Sequence, residues 1–491
     1  MRIVENPQMK FGEVPIENIK IDLKCRDDIP PLLLGLQYVY TNLELRRKVF
    51  SILEDIVPPG TNSKNGRPGM EMWKIFVFGV FRLNLDWDYD RLHQMVNNHK
   101  TIRQMVGHAS FDDVYEYKLQ TLKDNVTLLT PDILDRINVV VVQAGHNLVK
   151  KKDDEKLKCR CDSFVVKTNV HYPTDINVLC DAMRKLLILV AMLCTVANIK
   201  GWRQSSYNLQ KIKRLFRKAQ QLKRSTSKTE EKKQQREELI IEAHKVYIET
   251  ANDFLAKIRS TINEVKSCDF ELQAIIAKIR MYLDHADRQI NQIYRRVVKG
   301  ENIPHDEKVF SIFQEHTEWI CKGKAGVPVE LGLKVCVVED QYGFILNHWV
   351  MQNETDDKIV VPLIKQTIKK FSDISSCSFD KGFHSPANQN ELREILDCVV
   401  LPKKGKLSQT DKDTEYSEGF IKARHQHSAV ESAINALEVH GLDKCPDHGL
   451  HGFERYVAIA ILARNIQQIG VKLKQQKLAL SQKQKELKLA A

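Results

Sequence analysis

The feature that most restricts the fold is a long helical stretch set between two strand-forming segments. From 157 to 172 the sequence LKCRCDSFVVKTNVHY alternates apolar with polar residues and is rich in β-branched side chains, which is the pattern of a strand. Pro173-Thr174-Asp175 then stops the strand and opens a helix. From 176 to 316 the spacing is helical throughout. Tyr247, Ala251, Phe254, Ile258, Ile262 and Val265 repeat at threes and fours, and Ile276, Ile279, Leu283, Ala286, Ile290 and Ile293 do the same. Such repeats are the seams of packed helices in a long hairpin or bundle. Strand signals return at 332–350, where LKVCVVED alternates, Gln341-Tyr342-Gly343 turns and FILNHWVM follows as a hairpin. The helical module is therefore an insertion within a sheet that starts before it and is completed after it.

The remaining elements follow in a recognisable order. Thr355-Asp356-Asp357 starts a helix that ends near Phe371, ISSCSFD (374–380) is a strand, and Ser385-Pro386 opens another helix. DCVVLP (397–402) is a further strand, Ser428 to Val439 a helix, and His451 to Gly470 another. Without the insertion this is the ribonuclease H-like order, an α/β mixed sheet with helices on its faces. Residues 1–150 read as short helices: Leu32 to Val57, one from Met70, one through Asp90 and Val96, one capped after Phe111-Asp112-Asp113, and one from Thr130-Pro131-Asp132. The expected organisation is a helical DNA-binding or dimerising domain at 1–150, a discontinuous ribonuclease H-like domain at 157–175 and 318–470, the helical insertion at 176–317, and a basic helical tail at 471–491.

Three carboxylates stand out in that order. Asp162 lies in the first strand and Asp380 ends the strand 374–380, and in this topology those two strands are neighbours at the sheet centre. Glu431 sits one residue off the buried stripe Val430, Ile434, Leu437 of its helix, able to reach the strand ends. Clustered carboxylates without a cation repel one another. With Mg²⁺, which prefers oxygen ligands, they suit a two-metal in-line phosphoryl displacement. The net charge of +12, from 75 Lys and Arg against 63 Asp and Glu, points towards anionic partners, nucleic acid first.

Further segments carry a family likeness. They are RCDSFVVKTNVHYPTDINVLCDAMRKL (160–186), HTEWICKGKAGVPVELGLKVCVVED (316–340), SFDKGFHSPANQNEL (378–392), HSAVESAINALEVHGLDKC (427–445), HGLHGFERYVAIAILARNIQQIG (448–470) and GRPGMEMWKIFVFGVFRL (66–83). On these motifs, in this order, the chain resembles the transposases of bacterial insertion sequences, of the DDE class and the ISNCY-like group. The resemblance implies that Asp162, Asp380 and Glu431 are both the catalytic residues and the ligands of two Mg²⁺ ions, with Mn²⁺ as a substitute. It implies cleavage at transposon ends and transfer of the freed 3′-hydroxyl into target DNA. The implied partners are double-stranded DNA, as terminal inverted repeats and target, and further copies of the chain in a dimer or higher multimer. The implied location is the cytoplasm, at the nucleoid. One departure stands against the likeness: where many relatives carry a tyrosine, an arginine and a lysine around the glutamate, this chain has Arg424, His427 and Glu438.

Candidate DNA contacts are scattered. Arg67 lies in a basic Lys64–Pro68 segment similar to a minor-groove hook. Lys211 and Arg214 belong to a run dense in Lys and Arg, Lys403 and Lys404 follow the 397–402 strand, and Arg424 and His427 precede Glu431. Two other functions fit the sequence: a domesticated or decayed transposase that binds DNA without cutting it, and a ribonuclease H-like nuclease that cuts without joining. His440, Cys445, His448 and His451 fall close together without the spacing of a zinc finger, and a turn between helices explains them.

Overall fold

The computed structural model describes residues 2–6, 8–57, 69–109, 113–224, 229–265, 269–321 and 328–490. The chain falls into two compact units, one made of Met1–Asn169 with Ile320–Ala491 and the other of Val170–Trp319. Among the described residues no helix is long and apolar enough to cross a membrane.

The larger unit is a mixed α/β structure. Its N-terminal helices are α1 (Ile29–Thr41), α2 (Leu43–Leu53), α3 (Met72–Asn84), α4 (Tyr89–Asn98), α5 (Lys100–Met105), α6 (Leu119–Val126) and α7 (Pro131–Leu148), followed by strand β1 (Leu157–Thr168). The smaller unit holds α8 (Asp175–Val196), α9 (Ser205–Arg224), α10 (Glu230–Glu264) and α11 (Phe270–Ile293). The chain then returns through β2 (Glu318–Cys321), β3 (Val329–Glu339), β4 (Ile345–Val350), α12 (Asp356–Lys370), β5 (Ile374–Phe379), α13 (Pro386–Ile395) and β6 (Cys398–Val400). It ends with α14 (Gln409–Glu415), α15 (Glu418–His427), α16 (Ala429–Leu437), β7 (Lys444–Cys445) and α17 (Gly449–Ala490).

Among the described residues these strands form one open, mixed seven-stranded sheet. β1 is central: it runs antiparallel to β3 on one side and parallel to β5 on the other. β4 pairs antiparallel with β3, β6 pairs parallel with β5, and β7 meets the last residues of β1. The order β4–β3–β1–β5–β6 leaves β5 ending where β1 is only halfway along, so residues 162–166 of β1 are unpaired on that side, between β5 and β7.

The helices of residues 1–150 and the sheet share one hydrophobic core, which includes Leu36, Phe76, Phe81 and Val141 together with Val337, Phe344, Phe379 and Phe453. The expected boundary at residue 150 is therefore not a boundary between cores. Polar bonds reinforce the join: Asn138 of α7 donates to the Ile345 carbonyl over 3.1 Å, and His146 Nε2 lies 2.6 Å from the buried Asp340 carboxylate. The crossing of α1 and α17 depends on two glycines. A Cβ on Gly35 would sit 2.1 Å from the Ile466 carbonyl oxygen, and one on Gly470 would sit 1.7 Å from that of Pro31. No side chain larger than hydrogen fits there. The tail 471–491 is not a separate element, since α17 runs on through it to Ala490.

Three local expectations are corrected. The helical stretch Leu32 to Val57 is broken at Asn42, whose side chain accepts from the Leu45 N–H and so caps a second helix. No helix begins at Asp113: that carboxylate lies 2.6 Å from His108 Nδ1 and pairs with Arg103, and α6 starts at Leu119. In the smaller unit the helices stop at a π turn over Tyr294–Val298, and Gly300, with φ +70°, leads into irregular chain where helix was expected to 316.

The smaller unit is otherwise the expected helical module. Thr174 caps α8 by accepting from the Asn177 N–H. Leu179, Leu186, Val190, Tyr247, Ile258, Ile276 and Ile279 build its core. Trp202 packs near Phe254 and donates its indole N–H to Thr261 Oγ1 over 2.9 Å.

Candidate active site

The parallel register of β1 and β5 brings two aspartates together. Arg160 stands opposite Ser378 and Cys161 opposite Phe379. The pairing ends there; Asp162 is the next residue of β1, and Asp380 is the extended residue that follows β5, with φ −78° and ψ 163°. Paired residues of parallel strands project to the same face, so that register continued by one residue puts both carboxylates on one face, and the Asp380 charge acts on Asp162. Cys159 and Cys161 alternate with them and are buried on the opposite face. The register thus separates a packed cysteine row from a row Lys158, Arg160, Asp162.

Glu431 comes from α16. Val430, Ile434 and Leu437 are buried in the core, and Glu431 beside them is exposed. α16 packs on β1, which brings Glu431 within electrostatic reach of Asp162. The Asp162 carboxyl is pushed up to about 6, first by burial and then by the charges of Asp380, Asp356 and Glu431, against the pull of the Ser163 N–H. That N–H donates to Asp162 Oδ1 over 2.7 Å. The neighbouring charges acting on Asp162 are all carboxylates, so the site concentrates negative charge at the open side of β1.

Asp356 is the residue that the sequence did not single out. It was read only as the start of a helix, and it does begin α12. Its Oδ1 accepts from Ser163 Oγ over 2.7 Å, and its Oδ2 lies 2.9 Å from Lys334 Nζ. Gly382 lies close against it: a Cβ there would come within 3.4 Å of Asp356 Oδ2. The doubled acid Asp356-Asp357, where one cap would suffice, is a weak signal that spacing alone could not raise. A groove of about 510 Å³ runs past Asp162, Ser163, Lys334, Glu431, Asn435 and Glu438.

His427 closes the other side. It ends α15, and its Nδ1 lies 3.0 Å from Ser378 Oγ, two residues before Asp380. Burial lowers the imidazole from its ordinary value, against the opposing pull of Asp380 and Glu431, and Arg160 and Arg424 push the same way as burial. His427 thus stands beside the carboxylates, and the exposed Arg424 acts on His427 from the same helix. The other candidate contacts do not gather there. Lys403 is held by Asp411 at 2.5 Å, with Lys404 exposed next to it. Lys211 and Arg214 are exposed on α9 in the smaller unit. Arg67 lies outside the described residues. His440 lies against the Asn84 carbonyl, and Cys445 is in β7.

The donors suit a hard divalent cation in kind: each is a carboxylate, and the charges of the others act on Asp162. Among the described residues no three His, Cys, Asp or Glu side chains are drawn together closely enough to hold a single ion. The site is thus Asp162 under the charges of Asp380, Asp356 and Glu431, with Asp356 already paired to Lys334, rather than a closed coordination shell. Comparison with protein-family models, with curated proteins and with solved structures finds no match for this chain.

Proposed function

We propose that the chain is a DDE-class DNA transposase with a ribonuclease H-like core, which cuts at the ends of a mobile element and joins the freed 3′-hydroxyl to target DNA. The observation that carries this reading is that Asp162, Asp380 and Glu431 come from three separate elements and act on one another: the Asp162 carboxyl, raised to about 6 first by burial, is raised further by the charges of Asp380, Asp356 and Glu431. A protein that merely bound DNA would gain nothing from holding like charges together. The ribonuclease H-like reading is supported by the order β4–β3–β1–β5–β6, with β3 antiparallel and β5 parallel to β1.

Asp162, Asp380 and Glu431 would hold two Mg²⁺ ions, with Mn²⁺ able to replace them. Bound there, the ions would activate the attacking oxygen and stabilise the leaving one. The chain's own contribution is positional. The Ser163 N–H fixes one oxygen of Asp162, and Asp356 holds Ser163 and Lys334 in place. The contact between His427 and Ser378 ties α15 to β5 next to Asp380. Water would attack the phosphodiester at the element end, and the resulting 3′-hydroxyl would attack the target in the same site. The DNA partners are the terminal inverted repeats and the target duplex, and synapsis of two ends calls for a dimer or larger assembly.

The test is a cleavage assay with purified protein and a labelled duplex carrying the element end. Mg²⁺-dependent nicks and joined products are expected. Both should vanish in Asp162→Ala, Asp380→Asn and Glu431→Gln, with DNA binding retained. Cutting by Asp380→Asn would sink the assignment, whereas nicks without joined product would leave a nuclease.

A further inference from the structure

Beside the carboxylates lies a second feature that the triad does not use, a cleft of about 820 Å³ at the start of the same two strands. Lys158, Arg160, Ser376, Ser378, Lys422 and His425 are among its lining residues. Its floor is ordered by register. Lys158 stands opposite Ser376 and Arg160 opposite Ser378, and the same register continued past the last paired residues reaches Asp162 and Asp380. Side chains two apart on a strand share a face, so one face carries a basic and hydroxyl-bearing track that leads directly to the acidic pair. α15 supplies the opposite wall with Lys422 and His425.

The chemistry of the track is that of a sugar–phosphate backbone. Phosphate and sugar contacts are made by lysine, arginine, serine, glutamine and backbone N–H groups, without reading bases, and the cleft has also Gln341, Gln426 and Ser428. Arg160 is oriented rather than free, with its guanidinium 3.2 Å from Glu339 and donating to the Asp340 carbonyl. Lys158 and Lys422 are exposed at the mouth. From Asp162 to Lys158 is four residues of strand, about 13 Å, the axial rise of roughly four nucleotides of one DNA strand.

Resting on the reading of the carboxylates as a DNA-cutting site, we propose that this cleft carries the backbone of one DNA strand next to the scissile phosphate, with Lys158 and Lys422 each neutralising a phosphate. The two functions are separable. The full-length protein and a fluorescein-labelled duplex are titrated by anisotropy over a range of NaCl concentrations, for the wild type, Lys158→Gln/Lys422→Gln, and a control, Lys365→Gln, whose side chain pairs with Glu391 on the far helices α12 and α13. Both cleft lysines are exposed, so the double variant should fold normally, which circular dichroism verifies. Each lost phosphate contact should lower the slope of log K against log salt by about 0.9, so the double variant should lose about 1.8 and the control nothing. An unchanged slope in the double variant, with the wild type binding well, overturns the cleft and leaves the proposed function standing. A wild type that binds no duplex at all overturns both.

Discussion

Replacing Asp162 by asparagine should stabilise the protein in the absence of metal while ending its chemistry. The side chain keeps its size and its oxygen can still accept from the Ser163 N–H, so the change removes mainly a charge. A carboxyl that titrates at about 6 in place of 3.8 costs roughly 3 kcal/mol when ionised. Solvent reaching the groove reduces this to about 1–3 kcal/mol. The sign follows from linkage. The folded state holds the Asp162 proton more tightly than the unfolded chain, so the wild type is free of the cost below about pH 3.8 and bears it in full once pH has risen through 6. The assay is urea denaturation, followed by circular dichroism in EDTA, of both proteins at several pH values between 4 and 8. The variant should be the more stable at pH 8, and the gap should narrow as pH falls towards 4. Millimolar Mg²⁺ should then stabilise the wild type preferentially. A variant no more stable at pH 8, or a gap independent of pH, would refute the reasoning that burial and the neighbouring carboxylates make the ionised Asp162 costly.

Other substitutions test the frame that holds it. Arg82→Met takes from buried Asp447 its 2.7 Å partner, and should cost about 3 kcal/mol in a denaturation experiment. Gly35→Ala places a methyl 2.1 Å from the Ile466 carbonyl oxygen, and should cost at least about 2 kcal/mol by forcing α1 and α17 apart; a neutral result would mean the crossing is looser than described. Trp202→Phe removes the 2.9 Å bond to Thr261 within the helical unit, and should cost about 1 kcal/mol with no effect on the titration of Asp162.

Much of the arrangement could be read from the chain itself because it rests on local signals. The alternation of 157–168 and the Asp-Gln-Tyr-Gly turn near 340 specify β1 and the β3–β4 hairpin. Thr174 and Ser385 cap helices where their side chains say they should. Asp162 and Asp380 could be picked out because the order of elements makes the strand that holds one a neighbour of the strand that the other follows. What escaped depends on tertiary packing. Nothing local says that α7 will donate Asn138 to the β4 backbone, which merges the N-terminal helices into the sheet's core. α14 and α15 are short, and neither has a fully buried residue, so they leave no hydrophobic period to detect. Asp356 lies far from Ser163 and Lys334 in sequence, and only the fold brings it to the groove. The candidate DNA contacts were the least legible, because an exposed lysine is the same in sequence whether it faces a phosphate or water.

The most direct measurement supplies the chain in trans, in growing cells, to a selectable marker flanked by the DNA that borders its gene, and counts joined insertions. Wild-type protein should yield insertions, while Asp162→Ala and Asp380→Asn proteins, made at equal levels and still binding DNA, should yield none. Insertions of equal frequency from the Asp380→Asn protein would contradict the account, because the side-by-side aspartates of β1 and β5 would then not be where the strand is cut and joined.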